Sequence, residues 1–179
     1  RLGSSVVHAD LQDRDSLARA FEKVDVLYQA GGVFKHWAPN PLRDIYDANL
    51  TATRNAIEAA AHAGVRKIVY VSSLATLDHS RMPITEATWN PDHSNVYYAS
   101  KTDSEKLAWE FSEQLGLKMV SVLPGTMIGG HSWSLTPPMA LLQKILDGKL
   151  SVDPGFVFNF VDVKDVAEGT WLAATKGRA

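Results

Sequence analysis

Helix and strand patterns alternate along this chain, and each long helix is followed at once by a short apolar strand. One helix is predicted over about 41–63, before an apolar run at 68–71, and another over about 96–115, before a run at 119–123. A glycine follows each helix, as is common where a helix ends. Such alternation is typical of βαβ units, whose helices cover both faces of a parallel sheet. The sequence therefore predicts an α/β fold with a doubly wound parallel sheet.

Shorter segments extend the same pattern towards both ends of the chain. Hydrophobic residues make up 45% of the 179 residues, which is enough to build the core of one domain. Further strands are predicted at 6–9, 24–28 and 156–161, and further helices near 17–21, 139–146 and 163–175.

Composition excludes several classes of function. The net charge is -2, and 18 basic and 20 acidic residues are spread along the chain, so no nucleic-acid partner is expected. No apolar run is long enough to span a bilayer, so no membrane partner is expected either. The chain has no cysteine, which excludes disulfides and favours a reducing, cytoplasmic location. Its 6 histidines show no paired ligand spacing, so no metal site is predicted.

Tyr97 and Lys101 lie four residues apart in a predicted helix, so their side chains share one face of it. A free tyrosine has a pKa of roughly 10 and is a poor acid–base catalyst at neutral pH. A neighbouring ammonium group favours the phenolate and lowers that pKa, so such a pair forms an acid–base unit. The alternative is an amphipathic pair on a solvated helix face, and the spacing alone does not separate the two.

Ser72 and Ser73 follow the apolar run at 68–71. Ligands of open parallel sheets bind at the carboxyl ends of the strands, where a hydroxyl and Tyr97 can meet. Because side chains alternate along a strand, we expect Ser73 to lie within reach of Tyr97 and Ser72 to point elsewhere. The alternative is that the serines cap the next turn, which fits Ser72 better than Ser73.

Together, Ser73, Tyr97 and Lys101 resemble the Ser-Tyr-Lys triad of the short-chain dehydrogenase/reductase superfamily. The resemblance is to its extended branch, which contains NAD-dependent epimerases and dehydratases and proteins similar to dihydroflavonol 4-reductase. Other segments resemble motifs of this family in the same order over nearly the whole chain. They are the acidic turn at 9–11, the small-residue turn at 28–31, the helix segment at 49–55, the proline loop at 123–129 and the helix-opening segment at 160–167.

The resemblance implies a role for each member of the triad. Tyr97 exchanges a proton with the substrate oxygen, Lys101 lowers the pKa of Tyr97 and binds the nicotinamide ribose, and Ser73 orients that oxygen. Asn49 is implied to hold the active-site helix or a proton-relay water. These four residues are the expected catalytic set.

The resemblance also implies a Rossmann-like domain over 1–179 that binds NAD or NADP, with 131–159 contributing to the binding of a small-molecule substrate. A homodimer through the helices at 41–63 and 96–115 is implied, although their alanine-rich face also fits plain core. Residues expected at the cofactor, besides Tyr97 and Lys101, are Asp10, Leu11, Ala30, Gly31, Gly32, Val71, Pro124, Gly125 and Met127. Residues expected at the substrate, besides Ser73, are Phe34, His36, Trp37 and His131, and packing of their loops against the domain is an equal alternative for His36, Trp37 and His131.

One family feature is absent from the sequence. None of the 12 glycines forms G-x-G-x-x-G, the turn that binds pyrophosphate at a helix N-terminus. We therefore interpret the chain as an internal fragment that lacks the first β-α-β unit and part of the C-terminal substrate region. The residue that selects NAD or NADP belongs to the same absent unit.

Three functions remain open at this point. The first is a NAD(P)-dependent oxidoreductase that transfers hydride to or from a carbonyl or carbinol carbon of a small molecule or nucleotide sugar. The second is a nucleotide-sugar epimerase or dehydratase that oxidises its substrate transiently. The third is a non-catalytic NAD(P)-binding protein, against which the intact Tyr97 and Lys101 argue, or an inactive fragment, which the absent glycine-rich turn supports.

Overall fold

The computed structural model describes residues 4–130, 134–152, 155 and 157–177. It contains five strands and five α-helices, together with a π-helical and a 3-10 segment. In chain order they are α1 (Arg14–Ala20), β1 (Val26–Gln29), the π-helical segment (Leu42–Asp47), α2 (Ala48–His62), β2 (Lys67–Val71), the 3-10 segment (Leu74–Thr76), α3 (Val96–Gln114), β3 (Lys118–Val122), β4 (Thr126–Ile128), α4 (Pro137–Leu146), β5 (Phe160–Asp162) and α5 (Val163–Lys176).

The central sheet is parallel, as the alternating pattern predicted. Its order is β1-β2-β3, and Val69 of β2 lies opposite Tyr28 of β1 and Val120 of β3. The short strands β4 and β5 form a second parallel pair, which the sequence reading did not separate from the main sheet. The described residues therefore form an α/β fold with two parallel sheets.

Two strand predictions need correction. Residues 6–9 form no strand, and Val6 is 97% exposed. The β-branched composition favours extended backbone, but a strand also needs hydrogen-bonded neighbours, and no strand in the described part of the chain pairs with this segment. The last strand covers Phe160–Asp162 rather than beginning earlier, because residues 157–159 do not pair with Thr126–Ile128; residue 156 of the predicted strand lies outside the described residues.

The long helices end where the glycines predicted. Gly64 and Gly116 have φ values of +74° and +67°, the left-handed conformation that glycine adopts without steric cost. Helix α3 begins after Asn95, whose side chain accepts hydrogen bonds from the backbone N–H groups of Tyr97 and Tyr98. This cap fixes the start of the helix that carries Tyr97 and Lys101.

Helices cover both faces of the central sheet. Ile68 and Tyr70 of β2 point to one face, where they pack with residues of α2 and α3, including Ile57 and Ala108. Lys67 points to the other face, and its Nζ donates hydrogen bonds to three carbonyls at the end of α5, at 2.9–3.0 Å. Alternating side chains of one strand thus hold helices on opposite faces, as in a doubly wound sheet.

Nothing in the described part of the chain is a helix of the length and apolarity needed to cross a membrane.

The lysine under α5 gives the first testable prediction. Lys67→Met should lower the free energy of unfolding by about 1–2 kcal/mol, because three carbonyls at the helix C-terminus lose their cation. Lys118→Met is the matched control, since Lys118 begins the neighbouring strand and its side chain has no hydrogen bond or ion pair within the described ranges. Urea unfolding monitored by circular dichroism measures both. Equal losses in the two variants would contradict the capping role.

Candidate active site

The two serines at the end of β2 point to different residues of α3. The Ser73 hydroxyl lies close enough to the phenol of Tyr97 to lower the pKa of that phenol, and it accepts a hydrogen bond from the backbone N–H of Ala75 at 3.2 Å. The Ser72 hydroxyl is buried and donates to Glu105 Oε2 at 2.5 Å. Ser73 therefore lies beside Tyr97, and Ser72 points away from it.

Tyr97 lies in the first turn of α3, directly above this strand end. Its side chain is buried, with Ala38 and Ile45 packed around it. Burial raises the pKa of Tyr97 to about 12, with a smaller contribution from Tyr98, and the Ser73 hydroxyl opposes the increase. Tyr97 is therefore a protonated phenol at neutral pH.

The lowering of the Tyr97 pKa by Lys101 stays a prediction. Lys101 Nζ lies 6.0 Å from the ring centroid of Tyr70, and burial has the largest effect on the pKa of Tyr97. The pKa of Lys101 itself is lowered, because burial disfavours the ammonium more than nearby Glu105 favours it. Helical spacing places the two residues on one face but does not bring their polar atoms together.

Asn49 joins the loop after β1 to helix α3. Its Oδ1 accepts from Val33 N at 2.7 Å, and its Nδ2 donates to Val33 O at 3.2 Å and to Ser100 Oγ at 3.0 Å. The Ser100 hydroxyl in turn donates to the carbonyl of Tyr97 at 2.7 Å. Both amide hydrogens of Asn49 are therefore used within the protein, which fits a role in holding the helix rather than a relay water.

Of the residues expected at the substrate, two lie against Tyr97. The ring centroids of Phe34 and His36 are 5.4 Å and 4.8 Å from that of Tyr97, both in edge-on geometry. Trp37 is 75% exposed and makes no ring contact with this group in the described structure. His131 lies outside the described residues.

The residues expected at the cofactor gather at the carboxyl edge of the central sheet. Ala30, Gly31 and Gly32 are exposed after β1, Val71 ends β2, and Pro124 and Gly125 follow β3. Met127 lies in the neighbouring strand β4 and is partly exposed. The Asp10–Leu11 turn reaches the same edge, since Leu11 Cδ1 lies 2.8 Å from where a Cβ on Gly31 would stand.

Two of these residues have structural explanations as well. A Cβ on Gly125 would lie 2.4 Å from the carbonyl oxygen of Asn159, so glycine is required there by packing of the chain itself. The Asp10 carboxylate accepts a hydrogen bond from Gln12 N at 2.9 Å, which forms a local turn and leaves the side chain exposed. Neither observation conflicts with a place beside a ligand.

The donor groups of this edge fit a nicotinamide dinucleotide. Lys101 is largely buried, and its ammonium has no hydrogen-bond acceptor within the described ranges. An ammonium has three N–H donors, which suits a ligand rich in hydroxyl groups such as a ribose. The small residues after β1 have little or no side chain, so a ligand can come close to the backbone there.

The sequence reading missed one buried charge of this region, Glu105. The signal was its spacing, since Lys101, Glu105 and Trp109 recur every four residues and fall on one helix face. Glu105 is only 2% exposed and accepts hydrogen bonds from Ser72 and, at 3.4 Å, from Trp109 Nε1.

Comparison with known proteins shows which family the chain matches. The model of the family described as "NAD dependent epimerase/dehydratase family" matches residues 1–179. The chain belongs to this family. Its members bind NAD or NADP.

Three proteins similar to this chain show how much of its sequence and fold they share. The chain is 32% identical to cinnamoyl-CoA reductase 1 of Petunia hybrida over 173 residues, which are 89% of the chain and 50% of the reductase. Among solved structures, gox2253 matches with a TM-score of 0.81 and 32% identity over 95% of the chain and 52% of gox2253. UDP-glucose 4-epimerase of Thermus thermophilus in complex with NAD matches with a TM-score of 0.76 and 25% identity over 97% and 61%. The family member thus spans about half the length of the curated relatives it matches.

The hydrogen bonds of Asn49 with Val33 and Ser100 give the second prediction. Asn49→Ala should lower the free energy of unfolding by at least about 2 kcal/mol, because the half-buried N–H and C=O groups of Val33 lose their partner and the buried Ser100 hydroxyl loses its donor. Asn55→Ala is the control, since it removes a single hydrogen bond to Leu11 O and should cost only about 1 kcal/mol. If urea unfolding gave the same decrease in the free energy of unfolding for both variants, Asn49 would not be a more important structural contact than Asn55.

The raised pKa of Tyr97 gives a third prediction, for alkaline pH. The unfolded chain releases the phenol proton near the ordinary value of 10.0, whereas the native protein holds it to about 12. The unfolded state then binds fewer protons, so stability falls as pH rises between these values. Tyr97→Phe should make this fall shallower, while Tyr46 and Tyr70, also raised to about 12, contribute alike in both proteins. Parallel pH profiles of urea unfolding would contradict the assignment.

Proposed function

We propose that this chain is the catalytic part of a NAD(P)-dependent oxidoreductase that acts on a carbonyl or carbinol carbon of a small molecule or nucleotide sugar. The observation that carries the proposal is the placement of the Ser73 hydroxyl beside the phenol of Tyr97 after β2, with the Lys101 ammonium, which has no hydrogen-bond partner among the described residues, one helical turn further on. A hydroxyl pair beside an unsatisfied cation suits both a substrate oxygen and a hydroxylated cofactor.

Tyr97 acts as the proton donor. A bound nicotinamide dinucleotide supplies the hydride. As negative charge develops on the substrate oxygen, the phenol of Tyr97 gives up its proton to it, and the Ser73 hydroxyl stabilises the phenolate that remains. Because the pKa of Tyr97 is about 12, the phenol is protonated at neutral pH, which favours the direction of carbonyl reduction.

Lys101 and Asn49 contribute to this step by binding the cofactor and by positioning Tyr97, respectively. Lys101 would hold the cofactor by donating hydrogen bonds to its hydroxyl groups, which would replace the solvation that the ammonium lost on burial. Asn49, through Ser100, keeps the first turn of α3 and the loop at Val33 in fixed relation. Phe34 and His36 form the substrate side, beside the ring of Tyr97.

The second candidate is a nucleotide-sugar epimerase or dehydratase, which the likeness to the Thermus thermophilus epimerase supports. The higher identity to a reductase favours the first candidate. The two differ in a measurable way: an epimerase changes its sugar with no net change in nicotinamide absorbance, whereas a reductase consumes the reduced cofactor and lowers that absorbance.

A homodimer through α2 and α3 remains part of the proposal. The alanines that suggested an interface, Ala56, Ala59 and Ala60, are fully buried within the chain itself. The dimer therefore rests on the family resemblance, and light scattering at high concentration tests it.

The fourth prediction tests Tyr97 directly. In the longer protein that includes this chain, Tyr97→Phe should reduce turnover by roughly 10²–10⁴-fold, because the proton donor is lost, while cofactor binding survives. Tyr98→Phe is the matched control, since Tyr98 is adjacent in sequence but 39% exposed, whereas Tyr97 is buried. Near-normal turnover of Tyr97→Phe on a substrate that the wild type reduces would remove Tyr97 from the mechanism.

The fifth prediction concerns the 179 residues alone. They should bind NAD or NADP weakly, because the sequence holds no glycine-rich turn and each charge-assisted bond to a pyrophosphate contributes roughly 1.5–3 kcal/mol. Titration calorimetry of this chain measures the affinity. Micromolar binding of either dinucleotide would show that the remaining strand ends are sufficient.

A further inference from the structure

Glu105 is a buried carboxylate that the proposed reaction does not use. It is 2% exposed, and no lysine, arginine or histidine of the described residues lies within ion-pair distance of it. Its hydrogen-bond donors are Ser72, at 2.5 Å, and Trp109, at 3.4 Å. Burial of an ionised carboxylate is costly unless another interaction compensates, so the position of Glu105 needs a reason.

The nearest functional group along α3 is Lys101, one helical turn before Glu105 on the same face. Glu105 is the charged group that favours the ammonium form of Lys101 against the effect of burial. Lys101 in turn has no hydrogen-bond acceptor among the residues that the structure describes. The carboxylate therefore acts on Lys101 through space and leaves all three N–H donors free.

Other titratable groups near this pair are tyrosines. The ring of Tyr70, from β2, lies 6.0 Å from Lys101 Nζ, and its hydroxyl bonds with Thr53 of α2 at 2.9 Å. Burial and then Glu105 raise the pKa of Tyr70 to about 12, so it is neutral at physiological pH. Asp103, also on α3, bonds instead with Tyr46 at 2.8 Å. Glu105 is thus the carboxylate that balances the charge of Lys101.

We propose that Glu105, held by Ser72, is the positioning residue of this site: it supplies the countercharge that keeps Lys101 cationic while its N–H donors stay available to a ligand. The inference rests on the proposed function for the use that Lys101 makes of those donors. A direct ion pair would occupy the donors, whereas a carboxylate anchored to the strand end provides the charge and leaves them open.

The Ser72–Glu105 bond provides that anchor. The Ser72 hydroxyl donates to Glu105 Oε2, and a hydrogen bond from a hydroxyl to a carboxylate is stronger than one between neutral groups. Ser72 is itself fixed, since its N–H donates to Val122 O at 2.8 Å. The carboxylate is therefore tied to the same strand end that carries Ser73.

The experiment measures the titration of Lys101 in the chain without ligand, by NMR of ¹³Cε-labelled lysine, with the resonance assigned from its absence in Lys101→Met. Glu105→Gln keeps the size of the side chain and an acceptor for Ser72 but removes the charge. We expect it to shift the midpoint of Lys101 to lower pH. Glu110→Gln is the matched control, because Glu110 is exposed on the same helix and bonds with Gln114; it should leave the midpoint unchanged.

A second variant keeps the proposal testable if Glu105→Gln does not fold. Glu105→Met removes the charge and needs no buried hydrogen-bond partner, so it replaces the carboxylate with an apolar side chain of similar size. The Lys101 midpoint should again lie at lower pH than in the wild type. Ser72→Ala should keep the Lys101 midpoint closer to that of the wild type than either Glu105 variant does, since the charge remains. An unchanged Lys101 midpoint in Glu105→Gln or in Glu105→Met would overturn the proposal and leave Glu105 as a packing residue.

This test separates the inference from the proposed function. A Lys101 midpoint that depends on Glu105, together with normal turnover of Tyr97→Phe, would overturn the proposed reaction and leave the pairing of Glu105 with Lys101 intact. A Lys101 midpoint that does not depend on Glu105, together with a reaction that requires Tyr97, would overturn the pairing and leave the proposed reaction intact.

Discussion

Strand β2 is followed by two adjacent serines, and the arrangement of the site depends on their contacts with helix α3. Ser73 lies beside Tyr97, and Ser72 donates a hydrogen bond to Glu105, eight residues further on, or about 12 Å along the helix. Two contacts at this separation fix both the axial position and the rotation of α3 relative to the strand. Tyr97 and the largely buried Lys101 are held in place by them.

The same arrangement places polar groups where burial disfavours their charged forms. Burial raises the pKa of Tyr97 and lowers that of Lys101, and Glu105 is almost fully enclosed. A chain selected for stability alone would do better with apolar residues at such positions. Deviations of this kind are expected at functional sites, where a group must be ready for a partner that the free protein does not contain. The surrounding core, built on Ile57, Ile68 and other apolar residues, provides the stability that such a site requires.

The parts of the fold that follow from local pattern were predicted well. The alternation of helices and apolar strands gave the parallel sheet, and Gly64 and Gly116 gave the helix ends, because periodicity and left-handed backbone are local properties. The segment at 6–9 was predicted as a strand because its composition is β-branched, yet a strand exists only where a neighbour supplies hydrogen bonds. The pairing of β4 with β5 was missed for a related reason, since it joins short segments that are distant in sequence.

The sequence by itself determined which residues gather at the carboxyl edge of the sheet, because the spacing of Tyr97 and Lys101 and the place of Ser73 follow from the period of a helix and the end of a strand. Only the tertiary structure decided what those residues do to one another. It placed Lys101 over Tyr70 rather than beside the Tyr97 hydroxyl, and it brought Glu105 to Ser72, 33 positions away in the chain. Charge interactions and burial depend on distances through space between elements, and no period within one element contains that information.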